Sequence, residues 1–415
     1  VDAMKILVVC STLDLRYKLG CTPSWWQLLK ALHETGNEVI AVPFLGDPVE
    51  SLWWRCYPNP CSAESRLFNR YLDWKKSRGT HTSGQKKDRT CNRSMIHTFS
   101  EDYIRTKWEK SLRSIFDREK DIDLLLFMNV PLNFIRGITE KIKSAYGIPV
   151  ACYDGDMPTI LPKYAPERGF KFNYYLDADL SVFDAFFTNS KGIIPDLKEM
   201  GAQNVHPLFY AADPDVFRPV NVNKTIDISF YGHGSELREE WMRIMITEPS
   251  DILFNRIFSV GGIDFDISLG KANIAGYLDY SEFRRFCCQS RICLNITRCT
   301  HSSVYASSTA RPFELAAFGA CIVSQPYEGI EEWFDVGREI AVVKNEDEVL
   351  PVYQDLLDSD SDREKMGERA RQRILKDHTY RHRAEELIRA LDIRKTGTAE
   401  CDESSKQDGL RSDLG

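Results

Sequence analysis

Residues 310–324 read Ala-Arg-Pro-Phe-Glu-Leu-Ala-Ala-Phe-Gly-Ala-Cys-Ile-Val-Ser. The pattern predicts a short helix carrying Arg311 and Glu314, entered from the hydroxyl-rich run Ser307, Ser308 and Thr309. Gly319 is expected to end that helix, and Cys321-Ile322-Val323 reads as a buried strand. A helix opening leaves backbone N–H groups free for a phosphate, and a carboxylate on its first turns can grip a ribose diol. The stretch is therefore suited to holding a nucleoside-diphosphate sugar.

Working outward, short apolar runs alternate with amphipathic stretches, the signature of a parallel α/β architecture. Ile6–Val9, Glu38–Val42, Leu124–Met128, Val150–Tyr153 and Phe186–Thr188 read as one series of strands, with a helix over Ser24–Thr35 closing at Gly36. A second series starts at Ile226 and runs through Arg291–Asn295 to Cys321–Ser324. Two series in 415 residues imply two doubly wound domains. The expected division is 1–219, then 220–378, with 379–395 as a helix crossing back to the first domain and 396–415 as a disordered tail. Within the first domain, Lys75–Ser94 carries Lys75, Lys76, Arg78, Lys86, Lys87, Arg89 and Arg93 against Asp88, and reads as an inserted basic loop.

A net charge of −7 with 28% charged residues argues against a nucleic-acid surface as the main partner. No apolar run reaches the roughly 18–20 residues that cross a bilayer. The expectation is a cytoplasmic protein, with peripheral membrane contact open through the basic loop. The twelve cysteines are scattered, and Cys287, Cys288, Cys293, Cys299 and His301 lack paired Cys-X2-Cys spacing, so no metal site is expected. His378 and His382 share a helix face without a supporting Glu and are assigned to the surface.

Several residues carry the candidate chemistry. Gly232-His233-Gly234-Ser235 follows an apolar strand and reads as a loop letting the backbone approach a pyrophosphate, with Arg238 on the next helix as a phosphate or Glu239/Glu240 partner. Ser308, Thr309 and Ala310 precede the helix and offer N–H groups to phosphate. Arg311 would meet phosphate or pair with Glu314. Glu314 lies among Phe313, Leu315, Ala316, Ala317 and Phe318, where a carboxylate needs hydrogen bonds from ribose hydroxyls or a salt bridge. Asn295, Arg298 and His301 follow a strand and would line the donor side, whereas Tyr277 and Tyr280 are as consistent with core packing as with contact to a base. Asp154 and Asp156 follow the strand ending at Tyr153, where open α/β sheets place ligands. They would orient an acceptor, act as a base, or make an Asx-turn.

The chain resembles the glycosyltransferases of the two-Rossmann-domain (GT-B) type, and most of all the spore-maturation, CgeB-like branch of group 1. Leu19-Gly20-Cys21-Thr22-Pro23 followed by Leu28–Val39 is similar to the family's glycine turn and first helix. Phe187–Gly192, continuing through Gly201–Val205 to Ala212–Pro219, resembles the end of the acceptor domain. Arg311–Ser324 and Tyr380–Arg383 resemble the donor helix and the terminal helix. The likeness spans Met4 to about Ile393. It implies acceptor-side contacts at Gly20, Cys21 and Thr22, ribose contact at Glu314, and transfer from a UDP- or GDP-sugar with retention of configuration. No cofactor or metal is implied, and the acceptor is left as a glycan, a lipid-linked group or a small molecule. Many relatives carry a pair of glutamates; Glu314 matches the second, and Ala306 stands where the first would fall. A nucleotide-sugar epimerase and a non-catalytic nucleotide- or glycan-binding protein of the same architecture are the alternative readings.

Overall fold

In the computed structural model, residues 3–13, 24–64, 66, 95–164, 174–234 and 236–391 are described. Gly20, Cys21, Thr22, Ser235, the 75–94 insertion and the 396–415 tail lie outside them.

Apolar runs make two wholly parallel sheets. The first has the order β3-β2-β1-β4-β5-β6-β7. Its strands are β1 (Lys5–Thr12), β2 (Glu38–Leu45), β3 (Arg55–Cys56), β4 (Leu124–Met128), β5 (Val150–Asp154), β6 (Ala185–Thr188) and β7 (Val205–Pro207). The second has the order β10-β9-β8-β11-β12-β13. It is built from β8 (Ile226–His233), β9 (Phe258–Ile263), β10 (Asn273–Gly276), β11 (Ser290–Asn295), β12 (Ile322–Ser324) and β13 (Ala341–Val342). This is the GT-B architecture. In each sheet the strand order reverses once, between β1 and β4 and between β8 and β11, and such reversals open a crevice at the carboxyl ends of the strands.

Alternate residues of a strand face opposite sides, so both faces of each sheet need cover. On β1, Leu7 and Val9 join the core containing Trp108 and Leu112 of helix Met95–Arg118. Ile6, Val8 and Cys10 face helix Ser24–Glu34 through Leu28, Leu29 and Leu32. That face also takes Tyr380, Ala384, Leu387, Ile388 and Leu391 of a final helix, 380–391, so the end of the described chain packs on the first sheet. Tyr231 and Ile322 pack on one side of the second sheet, and Phe230 and Val323 on the other.

Two seams join the halves. At the crossing, Ala212 N–H donates to His378 O at 3.2 Å, while Lys30 Nζ bonds Asp213 Oδ2 at 2.7 Å and Asp215 Oδ2 at 2.8 Å. Nearer the cleft, Ser190 and Ser307 form an antiparallel bridge, flanked by Gly192 N–Tyr305 O at 2.9 Å and Ser308 N–Asn189 O at 2.8 Å.

Two expectations are corrected. Residues 232–234 are not a free loop: β8 continues in register with β9 through His233↔Ile263, and Gly234 N–H donates to Ile263 O. A Cβ on Gly234 would stand 2.1 Å from Asp264 O, so the missing side chain serves packing between segments of the fold. His378 is buried, not on the surface; its Nδ1 lies 2.7 Å from Arg383 Nη2, and its ring meets Phe313 edge-on.

Candidate functional site

The carboxyl ends of the two sheets face each other across a cavity of about 330 Å³. The first sheet contributes Ser11 and Thr12 from the end of β1, Asn129 beyond β4, and Gly155 and Asp156 beyond β5. From the second come Arg238 beyond β8, Thr297, Arg298 and His301 beyond β11, and Thr309, Ala310 and Glu314 at the helix start. Ser24, Trp25 and Tyr210 complete the wall. Both strand-order reversals thus open into one space.

Helix Ala310–Ala317 is positioned by its ends. Thr309 is the N-cap residue, in extended conformation and without a side-chain capping bond. Gly319, at φ 71°, lets Ala320 N–H return to Leu315 O, a left-handed stop that suits glycine. The burying face carries Phe313 and Leu315 into the core, and Glu314 goes with them to 1% exposure.

The Glu314 carboxylate has one oxygen satisfied. Arg311 Nη1 donates to Oε2 at 2.8 Å, while buried Oε1 has no hydrogen-bond partner among the described residues. Burial pushes the acid's pKa up, and the Arg311 charge opposes that shift. A buried acceptor without a partner among the described residues, on a side chain that lines a cavity, calls for a donor.

On the opposite wall the two aspartates separate. Asp154 is buried, with Oδ2 accepting from Tyr175 O–H at 2.6 Å and Oδ1 from Asp156 N–H at 2.9 Å. Burial, then the nearby Asp156, raises its pKa to about 7. It does not line the cavity and makes the Asx-turn. Asp156 does line it, with Oδ2 accepting from Asn129 Nδ2 at 3.0 Å. Asn129 takes the left-handed φ of 53°, and its Oδ1 accepts Gly155 N–H at 3.1 Å, so one amide holds the turn from both sides.

Of the other expected residues, Arg238 lines the cavity with Nη1 bonded to His233 O at 2.6 Å. Arg298 lines it too, and its buried Nε has no hydrogen-bond partner among the described residues. Ser308 cannot offer its N–H to a phosphate, because the seam takes it; its Oγ receives Tyr210 N–H at 2.9 Å. Asn295 is fully buried, bonded through Nδ2 to Ser324 Oγ, and does not line the cavity. Gly232, His233 and Gly234 lie outside the lining, and His233 Nε2 pairs with Asp264 at 2.8 Å. Arg311 is not among the lining residues; its guanidinium lies over the rings of Phe283 at 4.5 Å and Tyr231 at 5.4 Å. Ala306 is fully buried in the second core.

Neither tyrosine considered near the base lines the cavity: Tyr277 is exposed, and Tyr280 packs on Phe217. Cys287 and Cys293 are buried beside each other, and among the described residues no three His, Cys, Asp or Glu side chains could hold a metal ion. No helix among the described residues is long and apolar enough to cross a membrane. Sequence reading missed Ser11, Thr12, Ser24, Trp25, Asn129, Tyr210 and Thr297 on the wall. Four of these stand at the ends of β1, β4 and β11, where the strand-end rule alone would have found them.

Solved structures with this arrangement are similar across almost the whole chain. Sucrose-phosphate synthase from Thermosynechococcus elongatus aligns at 11% identity and a TM-score of 0.65, covering 95% of this chain and 100% of that one. A glycosyltransferase from Rickettsia africae aligns at 12% identity and 0.58, covering 94% and 98%. HepE of Anabaena, solved in complex with UDP and glucose, aligns at 8% and 0.58, covering 94% and 99%. No protein with a curated description matches the chain in sequence. Residues 221–389 match the family described as "Glycosyl transferase-like". The part of the chain that builds the second sheet is thus glycosyl transferase-like in sequence, and the fold of the whole is GT-B.

Proposed function

We propose that the protein is a glycosyltransferase that takes a hexose from a UDP- or GDP-sugar held on the second sheet and passes it to an acceptor on the first. The observation that carries this is Glu314, buried at the cavity wall with one carboxylate oxygen unpartnered among the described residues. Two ribose hydroxyls supply what that oxygen lacks. The N–H groups at the start of helix Ala310–Ala317, with Arg298 and Arg238, face the same space and can meet a diphosphate without a metal.

Asp156 stands on the first-sheet wall, where an acceptor hydroxyl has to arrive, and is the group placed to orient it or take its proton. Retention of configuration and membership of the CgeB-like branch belong to the same proposal and rest on the residue runs around Phe187–Gly192 and Arg311–Ser324. A cytoplasmic setting accords with the free thiols of the described cysteines.

The test is calorimetric titration with UDP, GDP and their sugars, followed by product analysis with candidate acceptors. Glu314→Ala is expected to weaken nucleotide binding roughly ten- to a hundredfold, the range for losing hydrogen bonds to a charged group. Unchanged affinity in that variant overturns the donor site. Isomerised sugar formed without any acceptor replaces transfer by epimerisation.

A further inference from the structure

We infer that Arg311 is a positioning residue for nucleotide recognition: held against two aromatic rings, it ties down one oxygen of Glu314 at the cavity wall and leaves the other for a vicinal diol. This rests on the proposed donor site and assigns Arg311 a role other than the phosphate contact its place in the sequence implied.

The geometry begins with spacing. Three residues apart on one helix, Arg311 and Glu314 share a face, and they meet at 2.8 Å. A guanidinium is planar, so stacking fixes its orientation as well as its place. Here Phe283 lies 4.5 Å and Tyr231 5.4 Å from the guanidinium carbon. These rings come from helix Tyr280–Gln289 and from β8, so two separate elements hold the guanidinium in place. The fork binds Oε2, and Oε1 is left buried without a hydrogen-bond partner among the described residues, on a side chain that lines the cavity.

Ionisation matters because a carboxylate accepts hydrogen bonds at both oxygens, whereas a neutral acid turns one into a donor. Burial at 1% exposure disfavours the anion, and the adjacent guanidinium opposes that shift. The other groups facing Glu314 are the phenols of Tyr280 and Tyr380 on their own helices, with Arg238, Arg298 and His301 across the cavity. No hydrogen bond joins the Tyr280 or Tyr380 hydroxyl to Glu314, so neither holds the carboxylate.

The experiment is calorimetric titration of the full chain with UDP or GDP from pH 5.5 to 8.5, for wild type, Arg311→Gln and Arg311→Lys. Arg311→Gln is expected to approach wild-type affinity at the alkaline end and fall behind by up to about tenfold per pH unit as pH drops, because its Glu314 protonates earlier. Arg311→Lys keeps the charge and is expected to lie between the two. With the matching 2′,3′-dideoxynucleotide the variants' pH profiles should coincide. An equal loss at every pH, or none, overturns the role.

A second reading needs no ligand. Unfolding midpoints of wild type and Arg311→Gln are compared over the same range. A carboxyl whose folded pKa is raised withdraws stability as pH rises through that pKa. Arg311→Gln raises it further, so its stability should keep falling where wild type has levelled; parallel profiles overturn the pairing. If wild type binds no nucleotide while these profiles diverge, the donor-site proposal fails and the Arg311–Glu314 coupling stands.

Discussion

The turn beyond β5 and the start of helix Ala310–Ala317 each bring a buried carboxyl to the mouth of a parallel sheet, and they finish it differently. At β5, Asp154 has both oxygens occupied by Tyr175 and by the Asp156 N–H. At the helix, Arg311 occupies one oxygen of Glu314 and nothing among the described residues occupies the other. The first carboxyl is complete within the protein and sets a turn; the second has one oxygen left over, which the proposed nucleotide would fill. A perturbed acid therefore marks a binding site only when its hydrogen-bonding capacity is left open towards space. On the first wall the carboxylate that lines the cavity is the neighbouring, less buried Asp156, the one proposed to meet the acceptor.

The largest effect that can break this contrast falls on Asp156. Asp156→Asn is expected to lower turnover with an acceptor by about 10²–10⁴-fold, the usual span for a general acid or base. Its unfolding midpoint should barely move, since the side chain is exposed and its Asn129 contact survives in an amide. Turnover near wild type returns the role to Asp154 or to the donor phosphate.

Next in size is Asp154→Ala. It strands the Tyr175 hydroxyl and the Asp156 N–H in a buried place, an effect of about 2–3 kcal/mol on stability measured by denaturant titration. Nucleotide affinity should change far less, because Asp154 does not line the cavity. A variant that folds normally yet loses nucleotide would erase the distinction between the two carboxyls.

How much of this was legible depends on distance along the chain. Strands β1, β4, β5, β8 and β11 each hold a run or alternation of apolar residues, and that pattern needs no context. β9 holds Ser259, Gly261 and Gly262, and β10 is an exposed edge, so neither shows that pattern. At the site, Glu314 could be read locally because a lone acid among Phe313, Leu315 and Ala316 demands a partner. Whether Arg311 faces phosphate or Glu314 could not: Phe283 and Tyr231 decide it, and both lie far away in sequence. Ser308 lost its N–H to Asn189 across the seam, again through a contact that no local pattern announces. Asn129 was missed because its use depends on a left-handed turn directly after β4.

The smallest effect sharpens the contrast through pH. Asp154 is pushed up to about 7, by burial first and by Asp156 second. Since that exceeds the unfolded value near 4, its contribution to stability is fully present at low pH and is lost as pH rises through about 7. The loss follows from ionising a carboxyl that the fold has removed from water, and its slope is bounded at roughly 1.4 kcal/mol per pH unit for one proton. Asp154→Asn cannot ionise, and its amide can accept the Asp156 N–H and donate to Tyr175. From pH 5 to pH 8 its stability should gain on wild type by roughly 2 kcal/mol, read as the change in the difference between two denaturant midpoints. A gap of the same size at both pH values would mean that the acid is already ionised in the fold, and that Asp154 does not hold its proton as its surroundings dictate.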